Sequence, residues 1–112
     1  MPRHHKEESA LVSACLLALS AAGCLVWRNN TGVLPNRGGR PVRFGLCVGS
    51  SDIIGVTPDG RFLAIECKTA TGQPTNAQRR FIEAVRARGG RAGIARSGSD
   101  AVIIATGSGP TR

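Results

Sequence analysis

The chain has 112 residues and a formal net charge of +8, with an isoelectric point near 11.0. That length supports one domain with a modest core. Fifteen basic residues face seven acidic ones, and thirteen of the fifteen are arginine, whose guanidinium grips phosphate oxygens in pairs. The balance favours a polyanionic partner, nucleic acid foremost, over a membrane surface, which no basic amphipathic helix with bulky aromatics supports. Clustering strengthens this: Arg28, Arg37, Arg40 and Arg43 lie in a stretch without an acid, and six arginines between Arg79 and Arg96 are opposed only by Glu83. Cys15, Cys24, Cys47 and Cys67 form no C-x-x-C pair, so a zinc site is not expected, and they read as free thiols of a reducing, intracellular compartment. His4 and His5 stand in a charged segment and read as solvated.

Residues 10–26 carry no charge. Glu7 and Glu8 directly precede the run, and Ser13, Ser20 and Gly23 interrupt it, so it reads neither as a signal peptide nor as a membrane span of ~20 residues. Leu11, Val12, Cys15, Leu16 and Leu19 mark one face of a helix from about Glu7 to Ala22, stopped at Gly23. Glu8, three and four residues before Leu11 and Val12, continues that stripe. Spacing alone does not separate a site acid there from a glutamate favoured by the helix dipole.

A strand follows at Cys24 to Asn29. The stretch from Thr31 to Gly45 is rich in glycine and arginine, with a short strand at Val42 to Phe44. The Gly49-Ser50-Ser51 turn leads into a hairpin. After it come a loop at Thr69 to Pro74, a helix from Asn76 to Arg88 stopped by Gly89-Gly90, and a strand at Ala92 to Arg96. Gln78 forms a T-x-x-Q capping box with Thr75 and also faces inward, three and four residues before Phe81 and Ile82. Arg79, Glu83 and Arg86 share another face, solvated or turned to DNA. Ser97 to Ala105 is open between helix and strand, and residues 107–112 read as a loose tail. The order α-β-β-β-β-α-β predicts an α/β domain over residues 1–106, a mixed sheet flanked by helices.

The hairpin carries the chemistry. Its strands are Asp52 to Thr57 and Arg61 to Lys68, joined by Pro58-Asp59-Gly60. Proline suits the second position of a type I turn and glycine the left-handed position after it, giving a three-residue loop. That loop pairs Thr57 with Arg61 and therefore Asp52 with Glu66; Lys68, two residues on, shares their face. A two-residue loop at Asp59-Gly60 would move Asp52 to the opposite face. Ile53, Ile54, Leu63 and Ile65 are apolar on both faces, as in a central strand pair, where charges are costly and need a reason. Two carboxylates and one ammonium are a minimal set for metal-assisted phosphodiester hydrolysis.

These residues resemble a stand-alone VRR-NUC domain of the PD-(D/E)xK nuclease superfamily. The matching stretches are Glu8, W-R-N-N-T-G at 27–32, R-F-G-L at 43–46, G-S-S-D-I-I-G at 49–55, D-G-R-F-L-A-I-E-C-K at 59–68 and T-N-A-Q-R at 75–79. The valine-arginine-arginine signature of the family's name is matched only loosely, by Ala95-Arg96-Ser97. The resemblance implies an αβββαβ core, with Asp52, Glu66 and the Cys67 carbonyl holding Mg2+ or Mn2+. It implies that Lys68 serves the attacking water, that Gln78 supports the site and that Glu8 is an outer-shell acid. Arg28, Asn29, Asn30, Arg37, Arg40 and Arg43 are expected to hold the DNA backbone, with Ser50 and Ser51 beside the reacting phosphate. Stand-alone relatives resemble phage or prophage homodimers acting on branched DNA such as four-way junctions, in a bacterial or infected-host cytoplasm, with no membrane and no small-molecule cofactor. Open beside this are a flap or general nuclease and a basic DNA-binding module without cleavage. A restriction-type enzyme would want a larger recognition region.

Overall fold

In the computed structural model, which describes residues 3–107, the chain runs α1 (Arg3–Ala21), β1 (Leu25–Arg28), β2 (Gly32–Pro35), β3 (Pro41–Phe44), β4 (Ile53–Val56), β5 (Phe62–Cys67), α2 (Asn76–Ala87), β6 (Arg91–Ala95) and α3 (Gly98–Thr106). The side chains of residues 3–6, His4 and His5 among them, and residues 108–112 of the expected tail lie outside what is described. The main sheet has the order β1-β4-β5-β6. The first two pairings are antiparallel and β5–β6 is parallel, with α2 as the crossover, so the sheet is mixed as expected.

The turn between β4 and β5 sets the register. Gly60 N–H donates to the Thr57 carbonyl and Thr57 N–H to the Arg61 carbonyl, both at 2.9 Å. Gly60 has φ +85°, which a Cβ would strain. Ile53 pairs with Ile65 and Val56 with Phe62. The same register, carried one residue further, sets Asp52 opposite Glu66.

Alternation along β5 then builds two cores. Leu63, Ile65 and Cys67 join Ile53, Val12, Cys15 and Leu19 of α1, and Ala101 and Ala105 of α3. On the opposite face Ala64 joins Ile54, Ala92, and Ile82 and Val85 of α2. Leu63, Ile65 and Ile53 are wholly buried, each contributing about 1.5–3 kcal/mol of hydrophobic stabilisation. Four thiols are free; Cys15, Cys24 and Cys67 are buried and Cys47 is exposed. The hydrogen bond between Cys67 and Cys15, then burial, pushes the Cys67 thiol up, so it packs as a neutral apolar group.

Three details differ from or complete the sequence reading. The open segment at 97–105 is helix α3: Ser97 Oγ accepts from Asp100 N–H at 3.1 Å, and Gly107 closes the helix with φ 67°. Ala101 and Ala105, four apart, are both buried against the sheet and α1, and this packing decides between the two periods that Ala-Val-Ile-Ile-Ala allows. Helix α1 starts at Arg3 rather than Glu7. The glycine-rich stretch holds a strand, β2, that its Gly-Val-Leu-Pro sequence did not announce. It pairs only with β3, as a separate hairpin. Among the described residues no helix is long and apolar enough to cross a membrane.

Candidate active site

The site is assembled where β4 begins and β5 ends. Asp52 lies just before β4, and its Oδ2 accepts the Cys67 N–H at 2.8 Å. That bond replaces a backbone ladder partner and fixes the carboxylate against β5. Glu66, in β5, is 3% exposed. Lys68 follows β5, its N–H held by the Ala95 carbonyl at 3.1 Å. Its ammonium stands 3.5 Å from Glu66 Oε2.

The electrostatics are out of balance. Burial first, then the negative charge of Asp52, push the Glu66 carboxyl up to about 8, with Lys68 opposing. Glu66 Oε1 is buried and has no hydrogen-bond partner. Two carboxylates therefore meet beside one ammonium, with an acceptor oxygen left unsatisfied, a costly arrangement for an unloaded site. A divalent cation would satisfy that oxygen and favour the ionised form, so the donor set fits one. Among the described residues no three His, Cys, Asp or Glu side chains gather in metal-binding geometry. The side-chain ligands would thus be Asp52 and Glu66, completed by main-chain, water or phosphate oxygen.

Asn29 braces this edge. Its backbone N–H donates to the Asp52 carbonyl at 2.7 Å. Its side-chain amide donates to Ser50 Oγ at 2.9 Å and to the Ser51 carbonyl at 2.8 Å. Three consecutive residues, Ser50, Ser51 and Asp52, are thereby pinned to the end of β1. Both amide hydrogens of Asn29, expected at the DNA backbone, are thus taken up inside the protein. Ser51, expected beside the reacting phosphate, is 1% exposed with a partnerless hydroxyl. An asparagine closing a strand before an irregular segment was the available signal, since its amide mimics a peptide.

A cavity of about 190 Å³ opens beside Asp52, lined by Val12, Arg28, Asn29, Asn30 and Thr31. Arg28 and Asn30 are thereby brought to the site. Glu8, half-buried, lies one turn before Val12 on the same helix face. Gln78 belongs to α2, on the face of the sheet opposite α1, which Ala64 and, by alternation, Glu66 share. Its Oε1 accepts the Thr75 N–H at 2.8 Å in the expected capping box. The first turn of α2 abuts the Gly49 turn, where a Cβ would stand 2.5 Å from the Ala77 carbonyl oxygen. Ser50 is half-buried beside that turn. Arg37 and Arg40, in the β2–β3 turn, and Arg43, in β3, are exposed and stand on the separate hairpin.

A mixed four-stranded sheet with helices on both faces, presenting Asp and Glu-x-Lys from its two central strands, is a nuclease-type α/β architecture. The VRR-NUC domain family matches residues 39–99, more than half of the chain. A solved structure described as a VRR_NUC domain is similar to it with a TM-score of 0.58 and 23% identity, covering 85% of this chain and 89% of the other. No curated protein matches. The chain belongs to the VRR-NUC family. It carries a nuclease domain of the PD-(D/E)xK type, a class that acts on DNA and generally depends on a divalent metal. The matched stretch includes Asp52, Glu66, Lys68 and Gln78, and leaves out Glu8 and residues 28–37.

Proposed function

We propose that the protein is an Mg2+- or Mn2+-dependent endodeoxyribonuclease that cuts branched DNA, four-way junctions foremost, as a homodimer. One observation carries the catalytic part: Glu66, nearly fully buried with a partnerless oxygen, lies against Asp52 and within reach of Lys68. In this reading Asp52, Glu66 and the Cys67 carbonyl hold the ion, with Glu8 in the outer shell. The bound ion would polarise the scissile phosphate and lower the pKa of a coordinated water. Lys68 orients the attacking water by hydrogen bonding and offsets negative charge developing on the phosphate. In-line attack leaves a 5′-phosphate and a 3′-hydroxyl. Gln78 holds the start of α2 against the turn that carries Ser50.

Arg28 and Asn30, in the cavity beside Asp52, take the reacting backbone, with Ser50 at its edge. Arg37, Arg40 and Arg43 on the exposed hairpin grip phosphates farther away. Phosphate contacts place DNA without reading its sequence. With one tryptophan, three phenylalanines and no tyrosine, the chain has few platforms for base stacking. Recognition by shape follows, and a two-fold dimer matches paired cuts on two strands.

The test is cleavage with Mn2+ of four-way, flap and linear duplex DNA, beside the Glu66→Gln variant. Cleavage of the junction by the wild type and loss in the variant is the expected result. Equal products from both proteins would remove the metal site from Glu66. Cleavage of flap and linear DNA at the same rate would remove the junction preference. Binding of all three without cleavage would leave a DNA-binding module.

A further inference from the structure

We propose that Arg96 is the positioning residue for Lys68, acting through the turn that follows the catalytic strand. The inference rests on the role of Lys68 given above. Arg96 comes directly after β6, and its guanidinium reaches back across the sheet edge. Its Nη1 donates to the Thr69 carbonyl at 2.5 Å and to the Gly72 carbonyl at 2.8 Å. Gly72 N–H also donates to the Thr69 carbonyl at 3.0 Å, so the arginine fastens both ends of one tight turn. A charged donor shared between two carbonyls is among the stronger hydrogen-bonding arrangements a side chain offers to a backbone.

That turn is one wall of the lysine. A Cβ built on Gly72 would lie 3.5 Å from both Cβ and Cδ of Lys68, so the turn runs alongside the lysine stem. The peptide of Lys68 is tied to Ala95, the residue before Arg96. Arg96 is itself set by its backbone N–H, which donates to Asp100 Oδ2 at 2.9 Å in the first turn of α3. The chain of support is thus Asp100 to Arg96, Arg96 to the Thr69–Gly72 turn, and the turn to the Lys68 stem. At the far end the ammonium has Glu66 Oε2 at 3.5 Å. A lysine has four rotatable bonds, and a single long ion pair does not hold it in one rotamer. The turn supplies a further constraint along the stem, and Arg96 bridges its two carbonyls to the end of β6. A simpler role for an exposed arginine in a basic protein is direct phosphate contact, and the two roles separate by experiment.

The chain has only two lysines, Lys6 and Lys68, so side-chain 13C-labelled lysine reports on Lys68 with Lys6 as internal reference. Arg96→Ala should raise the mobility of the Lys68 methylenes and shift its resonances, with Lys6 unchanged. Mn2+ affinity should stay within about twofold, because neither carboxylate moves. With Mn2+ and junction DNA, kcat should fall about tenfold with KM nearly constant, as expected when a catalytic group is loosened rather than removed. Arg96→Gln, which keeps a donor and adds no lysine, should recover part of both effects; it also stands in should Arg96→Ala fail to fold. Unchanged Lys68 mobility in these variants would overturn the proposal. So would a loss confined to KM with a flatter salt dependence, which is the signature of a phosphate-binding arginine. A wild type that cuts no DNA would remove the nuclease reading, while the Lys68 resonances would still decide the placement.

Discussion

Two antiparallel hairpins of nearly equal length sit in this chain, and they are built on opposite plans. In β4–β5 nearly every side chain is buried, and the strands are sandwiched between α1 with α3 on one face and α2 on the other. In β2–β3 every residue but Gly32 is exposed, Val33, Leu34, Val42 and Phe44 included. The first hairpin holds its acids in a fixed low-dielectric frame, where a small displacement of a carboxylate matters. The second carries Arg37, Arg40 and Arg43 in water, where a phosphate backbone can be met without rearranging the core. In the function proposed above, chemistry falls to the buried pair and capture to the exposed one.

The comparison breaks most sharply at Glu66. Glu66→Gln should lower cleavage by at least about 10³-fold, because it removes a ligand charge and a charge partner of Lys68 together. The same variant should be more stable than the wild type at pH 8 without metal, since a buried carboxyl whose ionisation burial opposes is replaced by a neutral group of the same shape. A stabilised, inactive protein in a thermal melt and a cleavage assay is the expected pair of outcomes. Wild-type rates would return Glu66 to a structural role.

Next is a matched pair of truncations. Leu63→Ala, at a wholly buried position of β5, should cost about 2–5 kcal/mol in urea unfolding. Leu34→Ala, at a position of β2 that is 61% exposed, should cost less than about 0.5 kcal/mol. Similar costs would show that the second hairpin is packed in solution against something, a second copy foremost.

Proton linkage tests the same frame without mutation. The folded state raises the Glu66 carboxyl from its ordinary 4.5 to about 8. Between those values the native state holds a proton that the unfolded chain has released, so stability of the metal-free protein must fall as pH rises. The slope is at most about 1.4 kcal/mol per pH unit, with a total of up to a few kcal/mol, levelling off above pH 8. Urea midpoints at pH 5, 6.5 and 8 in chelator should follow that fall, and saturating Mn2+ should reduce it by displacing the proton. A stability that rises over this range would contradict the burial of Glu66.

The two hairpins also differed in how plainly the sequence announced them. Pro58-Asp59-Gly60 specifies a turn by its own backbone demands, and alternating Ile, Leu and Ala fix which residues face inward. Turn and register were therefore legible, and with them the meeting of Asp52, Glu66 and Lys68. Strand β2 was not, because Gly32 and Pro35 are poor strand formers and no core burial imposes a period on Val33 and Leu34. Helix α3 was open for the opposite reason: its apolar run satisfies either period, and only its packing against α1 and the sheet selects one. That the Asn29 amide closes on Ser50 and Ser51 was not legible either, because the partners lie far from it in the chain. The strap from Arg96 to Thr69 and Gly72 joins residues far apart in the chain, and no local pattern encodes it.

The smallest effect sharpens the comparison from the exposed side. Replacing Arg37, Arg40 and Arg43 together by alanine should leave the melting temperature of the free protein unchanged, since all three are exposed on the separate hairpin. It should weaken binding of junction DNA and reduce the slope of log K against log salt by about 0.9 for each phosphate no longer neutralised, so by at most about three. Cleavage of bound DNA at saturation should keep its rate, because Asp52, Glu66 and Lys68 are untouched. A lower saturating rate with normal binding would mean that the projecting hairpin shapes the DNA at the site rather than merely holding it. Capture and chemistry would then be coupled through the substrate instead of being divided between the two hairpins.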